Sequence, residues 1–200
     1  KFNLTTSRNQ VPLTSVKIEG EKVLIPENGK TTREAGWTLR NSRGQYILTL
    51  DELEAGSLDT AEPVIEVEGD LILQLKKDTI SHLESQGPVI KKGTGTLTIR
   101  GEGSLELESA DAEAISSDWN GEELDADHPS AVRLEAGNLT FTGAGSGIVD
   151  ETVELAGAQG TITATSTSGA AVKTAHVKRE GSNSDKLELI GNKAVVVPES

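Results

Sequence analysis

Gly95-Thr96-Leu97-Thr98-Ile99-Arg100-Gly101, followed at once by Gly103-Ser104-Leu105-Glu106-Leu107, is the stretch that decides the fold of this chain. Each half is a glycine followed by strict apolar–polar alternation. A period of two marks a strand with one buried face, and the flanking glycines supply tight turns. The same form occurs upstream at Gly69-Asp70-Leu71-Ile72-Leu73-Gln74-Leu75. It returns downstream at Gly137-Asn138-Leu139-Thr140-Phe141-Thr142-Gly143, Gly160-Thr161-Ile162-Thr163-Ala164 and Lys186-Leu187-Glu188-Leu189.

A second signature runs between these segments. Pro63-Val64-Ile65, Pro88-Val89-Ile90, Glu113-Ala114-Ile115, Ser146-Gly147-Ile148 and Ala170-Ala171-Val172 each end on a β-branched residue, with Ala194-Val195 as a further candidate. From Ile65 the steps are 25, 25, 33, 24 and 23 residues. A second ladder, Ile80, Leu105, Leu139, Ile162 and Leu187, keeps step at 25, 34, 23 and 25. Both lengthen in the same interval, which places one insertion between Ile115 and Leu139, at residues 116–129.

Two ladders in register, with three short strands per step, describe a solenoid. The expected fold is all-β: a right-handed single-stranded parallel β-helix of about 24 residues per coil. A β-sandwich is the alternative, but it has no reason to hold two ladders in step over so much chain. A helical fold is disfavoured, because no window sustains the i, i+3, i+4, i+7 pattern without a glycine. Residues 1–35 break the repeat with Pro12, Pro26, Gly29 and a polar run from Lys30 to Glu34. They are expected to form an irregular entry segment, with strands Thr14 to Ile18 and Glu21 to Ile25, that caps one end. Residues 36–200 are assigned to the β-helix.

Composition narrows the function. The net charge is −13, which disfavours nucleic acid and anionic membrane surfaces, since both need clustered Lys and Arg. No apolar run reaches the roughly 18 residues of a membrane span. The absence of Cys removes disulfides, thiolate catalysis and Cys–zinc sites. Aromatic residues make up only 2%, so the core must be built from aliphatics in a thin interior. The chain begins at Lys1 without a visible leader, which we read as a processed or trimmed chain. Two Asn-x-Thr matches, at Asn3 and Asn138, are read as chance.

The runs Gln45-Tyr46-Ile47-Leu48-Thr49-Leu50, Val64-Ile65-Glu66-Val67-Glu68-Gly69-Asp70-Leu71, Gly87-Pro88-Val89-Ile90 and Gly95 through Leu105 resemble secreted β-helix proteins common in gut bacteria. Those proteins often carry the label "carbohydrate-binding domain-containing". The resemblance covers roughly residues 44–175 and rests on coil-building motifs. It implies a β-helix, an extracellular or cell-surface location and glycan binding. It supplies no catalytic residues to carry over.

Candidate chemistry concentrates in the insertion, Ser116-Ser117-Asp118-Trp119-Asn120-Gly121-Glu122-Glu123-Leu124-Asp125-Ala126-Asp127-His128-Pro129. A Trp offers a flat apolar face to a sugar ring, and carboxylates bind hydroxyls. Trp119, Asp118, Asn120, Asp125 and Asp127 are therefore the candidate ligand-binding residues, with Trp119 partly exposed and the acids near its ring edge. The bland reading is a solvated acidic loop whose Trp folds back over the coils. Ca²⁺ is a weaker option. Asp118, Asn120 and Gly121 begin like an EF-hand loop, but the glycine comes at the fourth position instead of the sixth, and no Glu stands at the twelfth. Otherwise no cofactor is expected. Trp37 is assigned to core or cap packing. His82, His128 and His176 lie in different coils without ligand spacing. Lys91, Lys92, Arg100 and Arg133 could serve a polysaccharide lyase or hydrolase, but nothing singles them out.

The leading expectation is a non-catalytic, secreted or cell-surface β-helix that binds a glycan or another host or bacterial surface component. A stalk module of a larger surface protein is the first alternative, and a polysaccharide-active enzyme is the second. Neither nucleic-acid binding nor membrane insertion is expected.

Overall fold

A computed structural model describes residues 10–180 and 186–190. Among them every regular element is a strand, and the strands form three sheets of seven, eight and six. Each coil contributes one short strand to each sheet. The third coil, for example, runs through Ile90–Lys92, Gly95–Gly101 and Ser104–Ser109. Each of these pairs in parallel with its counterparts in the coils before and after. The chain is a parallel β-solenoid.

The register explains the repeat. On the first sheet Ile65, Ile90, Ile115, Ile148 and Val172 stand directly over one another, all buried, as their spacing requires. On the second sheet Leu48, Leu73, Ile99, Leu134 and Leu155 form an inward column. On the third, Leu105, Leu139, Ile162 and Leu187 are in register. The neighbouring column runs Leu83, Leu107, Phe141, Ala164, with Phe141 in register with the small Ala164 of the next coil. In a close-packed interior the extra volume of a Phe is accommodated most easily beside a small residue.

One rung of the expected ladder is displaced. Ser81, not Ile80, pairs with Leu105, and Ile80 is 57% exposed. Ser81 takes the inward place because its hydroxyl accepts the Leu53 N–H at 3.0 Å, satisfying a polar group at the edge of the core. Serines also hold a corner of the solenoid. Ser85, Ser109 and Ser166 lie along one column, and their hydroxyls donate to turn carbonyls of Thr60 and Glu62, Gly87, and Gly145.

At the N-terminal end Ser15–Ile18 runs antiparallel to Ile65–Glu68, with the two-residue strand Glu21–Lys22 on its other side. Leu24 is 75% exposed and lies beyond that strand, which stops short of the expected Ile25. Thr31–Glu34, expected to be irregular, is a strand of an antiparallel meander with Trp37–Ser42 and Gln45–Leu50. Its burial is low along its whole length, so no alternation could reveal it. The last strand of the meander then pairs in parallel with Leu71–Leu75 and starts the coils. Antiparallel strands thus cover edges that the first parallel coil would otherwise leave open. Trp37, opposite Leu50, is buried in this cap, as expected. The candidate rung Ala194-Val195 lies outside the described residues.

Candidate functional site

Residues 118–129 leave the solenoid between Ile115–Ser117 and Ser130–Ala136. At the same corner of the preceding coil only Gly93 and Thr94 join the two strands. Trp119 does not offer a platform at the tip of this loop. It is only 7% exposed, and its Nε1–H donates to the Glu122 carbonyl at 2.8 Å. The expected partly exposed indole is therefore corrected to a buried one. Folding back removes a large apolar area from water, and the one polar atom of the ring finds a partner on the way.

The other candidates are arranged as loop geometry. Asn120 Oδ1 accepts the Glu122 N–H and Asp125 Oδ1 accepts the Asp127 N–H, both at 3.1 Å. Side-chain caps of this kind are how Asn and Asp stabilise turns. Asp118, Asn120, Asp125 and Asp127 are exposed. The loop is pinned to the coils by the Leu124 N–H, which donates at 2.8 Å to Oε1 of the buried Glu151. Partial desolvation first, then the Asp118 charge, push the carboxyl of the still exposed Glu68 above its ordinary value, partly offset by Lys92 and Lys91.

The cations do not converge on one site. Lys91 is exposed on the first sheet. Arg100 lies on the second sheet, where its Nε donates to Gln74. Burial of Arg133 works against its charge, but Glu135, Glu154 and Glu180, at 2.9, 3.1 and 3.0 Å, together outweigh it and raise the guanidinium pKa. Lys92 points into the solenoid.

Sequence spacing missed two groupings. His82, Glu84 and Glu108 bring one ligand atom each within 4.8 Å of one another on the outer face of the third sheet. Glu108 stands opposite Glu84 one coil away, so the grouping follows from register and not from local spacing. One imidazole and two carboxylates could hold a divalent cation there. The second is an open groove of about 590 Å³ between the segment Gln10–Leu13 and the outer face of the second sheet. Half-buried Tyr46 packs against the core and lines it, together with Ile72, Thr96, Thr98 and Gln45. Asp70 fixes the segment in place: Oδ1 accepts the Thr96 N–H at 2.8 Å and Oδ2 the Val11 N–H at 3.1 Å.

The fold and these surfaces define a parallel β-solenoid with one inserted loop. No family model matches the chain, and no similar protein was found among curated proteins or solved structures. Among the described residues no helix is long and apolar enough to cross a membrane.

Proposed function

We propose that this protein is a non-catalytic, cell-surface or secreted glycan-binding module, with the Tyr46 groove as its sugar site. The groove carries the reading. It combines an aromatic ring with hydroxyls at Thr96 and Thr98 and the amide of Gln45, all on rigid strands or their ends. Sugars present apolar C–H faces and a rim of hydroxyls, and concave sites with a few convergent polar groups suit such ligands. The acidic surface directs the choice toward neutral or basic glycans, because polyanions would be repelled. Trp119 has no direct part in binding, as its ring is occupied within the loop.

Calorimetry against mucin, plant and bacterial-wall glycans tests this. Affinity in an open groove should fall between millimolar and tens of micromolar, about 4–7 kcal/mol. Tyr46→Ala should abolish binding, whereas Trp119→Ala should bind as the parent does. If no glycan binds, or if Tyr46→Ala binds normally, the glycan reading fails and a structural stalk module takes its place.

A further inference from the structure

We propose that Lys92 and Asp150 are joined by an intramolecular isopeptide bond that forms inside the solenoid where the inserted loop leaves it. Lys92 occupies an inward position, in register with Val67 on one side and Ser117 on the other, and is 1% exposed. Asp150 is 0% exposed. Nζ of Lys92 lies 2.7 Å from Asp150 Oδ2, and it also donates to Ser130 Oγ at 2.7 Å and to the Gly93 carbonyl at 3.1 Å. The other carboxylate oxygen, Oδ1, accepts the Ser130 hydroxyl at 2.5 Å and the Glu151 N–H at 2.7 Å.

This arrangement holds what amide formation needs. Nucleophile and electrophile are in contact on a rigid scaffold, so little entropy is lost in bringing them together. Two donors already face Oδ1, the atom on which negative charge develops when nitrogen attacks Cγ. Water is excluded, so the product is protected from hydrolysis. The driving force is also local. A buried ion pair loses much of its Coulombic gain to desolvation, and an amide removes both charges.

The step balances without an oxidant or other reagent. One proton passes from the Lys92 ammonium to Oδ2 through their shared hydrogen bond. The neutral amine attacks Cγ, forming the C–N bond, while Ser130 and the Glu151 N–H hold the Oδ1 oxyanion. A second proton moves from nitrogen to Oδ2, the Cγ–Oδ2 bond breaks, and water leaves. Of the three ammonium hydrogens, one stays on the amide and two depart in the water. The proposal does not rest on the sugar site.

Mass spectrometry of the parent protein decides the matter. The intact mass should fall short of the sequence mass by one water. Trypsin should fail to cleave after Lys92 and should release a branched peptide joining the Lys92 and Asp150 segments. Protein purified unfolded in urea should carry the full mass and lose one water on refolding. Lys92→Arg and Asp150→Ala should each keep the full mass of their sequences, and Ser130→Ala should slow the conversion severalfold. A parent of full mass with separate peptides would overturn the proposal. So would a water lost with separate peptides, which would mean that Asp150 had closed on its own backbone. Neither outcome depends on a variant folding.

Discussion

Ile90 lies between Ile65 and Ile115 in a column one side chain wide, with 0% exposure. An aspartate there would have neither water nor a counter-charge, so Ile90→Asp should cost about 3–5 kcal/mol, read as a large drop in thermal midpoint. Ile80→Thr, on the exposed side of its strand, should change stability by less than about 0.5 kcal/mol. Equal effects of the two would contradict the register of the third sheet. Glu68 gives a pH-dependent test. Its folded pKa is raised, so protonation favours the fold; that contribution is complete below the ordinary carboxylate value and is lost as pH rises through the raised one. Glu68→Gln should therefore melt higher than the parent at pH 7, and the gap should close as pH falls through the carboxylate range. A gap that widens in acid would reverse the assigned cause.

At the scale of elements, the inserted loop behaves as part of the packing. Trp119→Ala should cost about 2–3 kcal/mol, below the usual range for a core Trp because a loop can collapse into the space left. Replacing Asp118 to His128 by Gly-Ser should leave a cooperative unfolding transition, since the coils pair with one another on both sides of the insertion. Its midpoint should nevertheless fall, because Glu151 loses the Leu124 N–H. Circular dichroism melts check both. Complete loss of cooperativity in the deletion would make the loop a coil in its own right.

At the scale of the whole molecule, a net charge of −13 is carried on a surface where Glu84 and Glu108 face each other across neighbouring strands. Like charges placed opposite oppose the fold, and net charge of one sign adds self-repulsion. Raising sodium chloride from about 0.01 M to 0.15 M shortens the screening length from about 30 Å to 8 Å. The thermal midpoint should rise over that range. A falling midpoint would mean that ion pairs such as those of Arg133 outweigh the repulsion.

The sequence by itself determined the solenoid, the first inward ladder from Ile65 to Val172 and the interval that holds the insertion. These are properties of one coil repeated, and alternation and spacing are local along the chain. Alternation also specifies a face only when inward means apolar, and that is where the reading slipped. Ser81 is polar and inward because a backbone N–H from Leu53 needs a partner there, so the pattern pointed to Ile80. The polar and aromatic groupings that span coils were decided by the tertiary structure alone. Stacking brings Glu108 to His82 and Glu84, and it lines one groove with Tyr46 and Thr98 from separate coils. It carries Lys92 across to Ser130 and Asp150, residues 38 and 58 positions further along the chain. The indole of Trp119 could equally have faced a ligand or the coils, and only the path of the folded loop, with Glu122 in reach of its N–H, turned it inward.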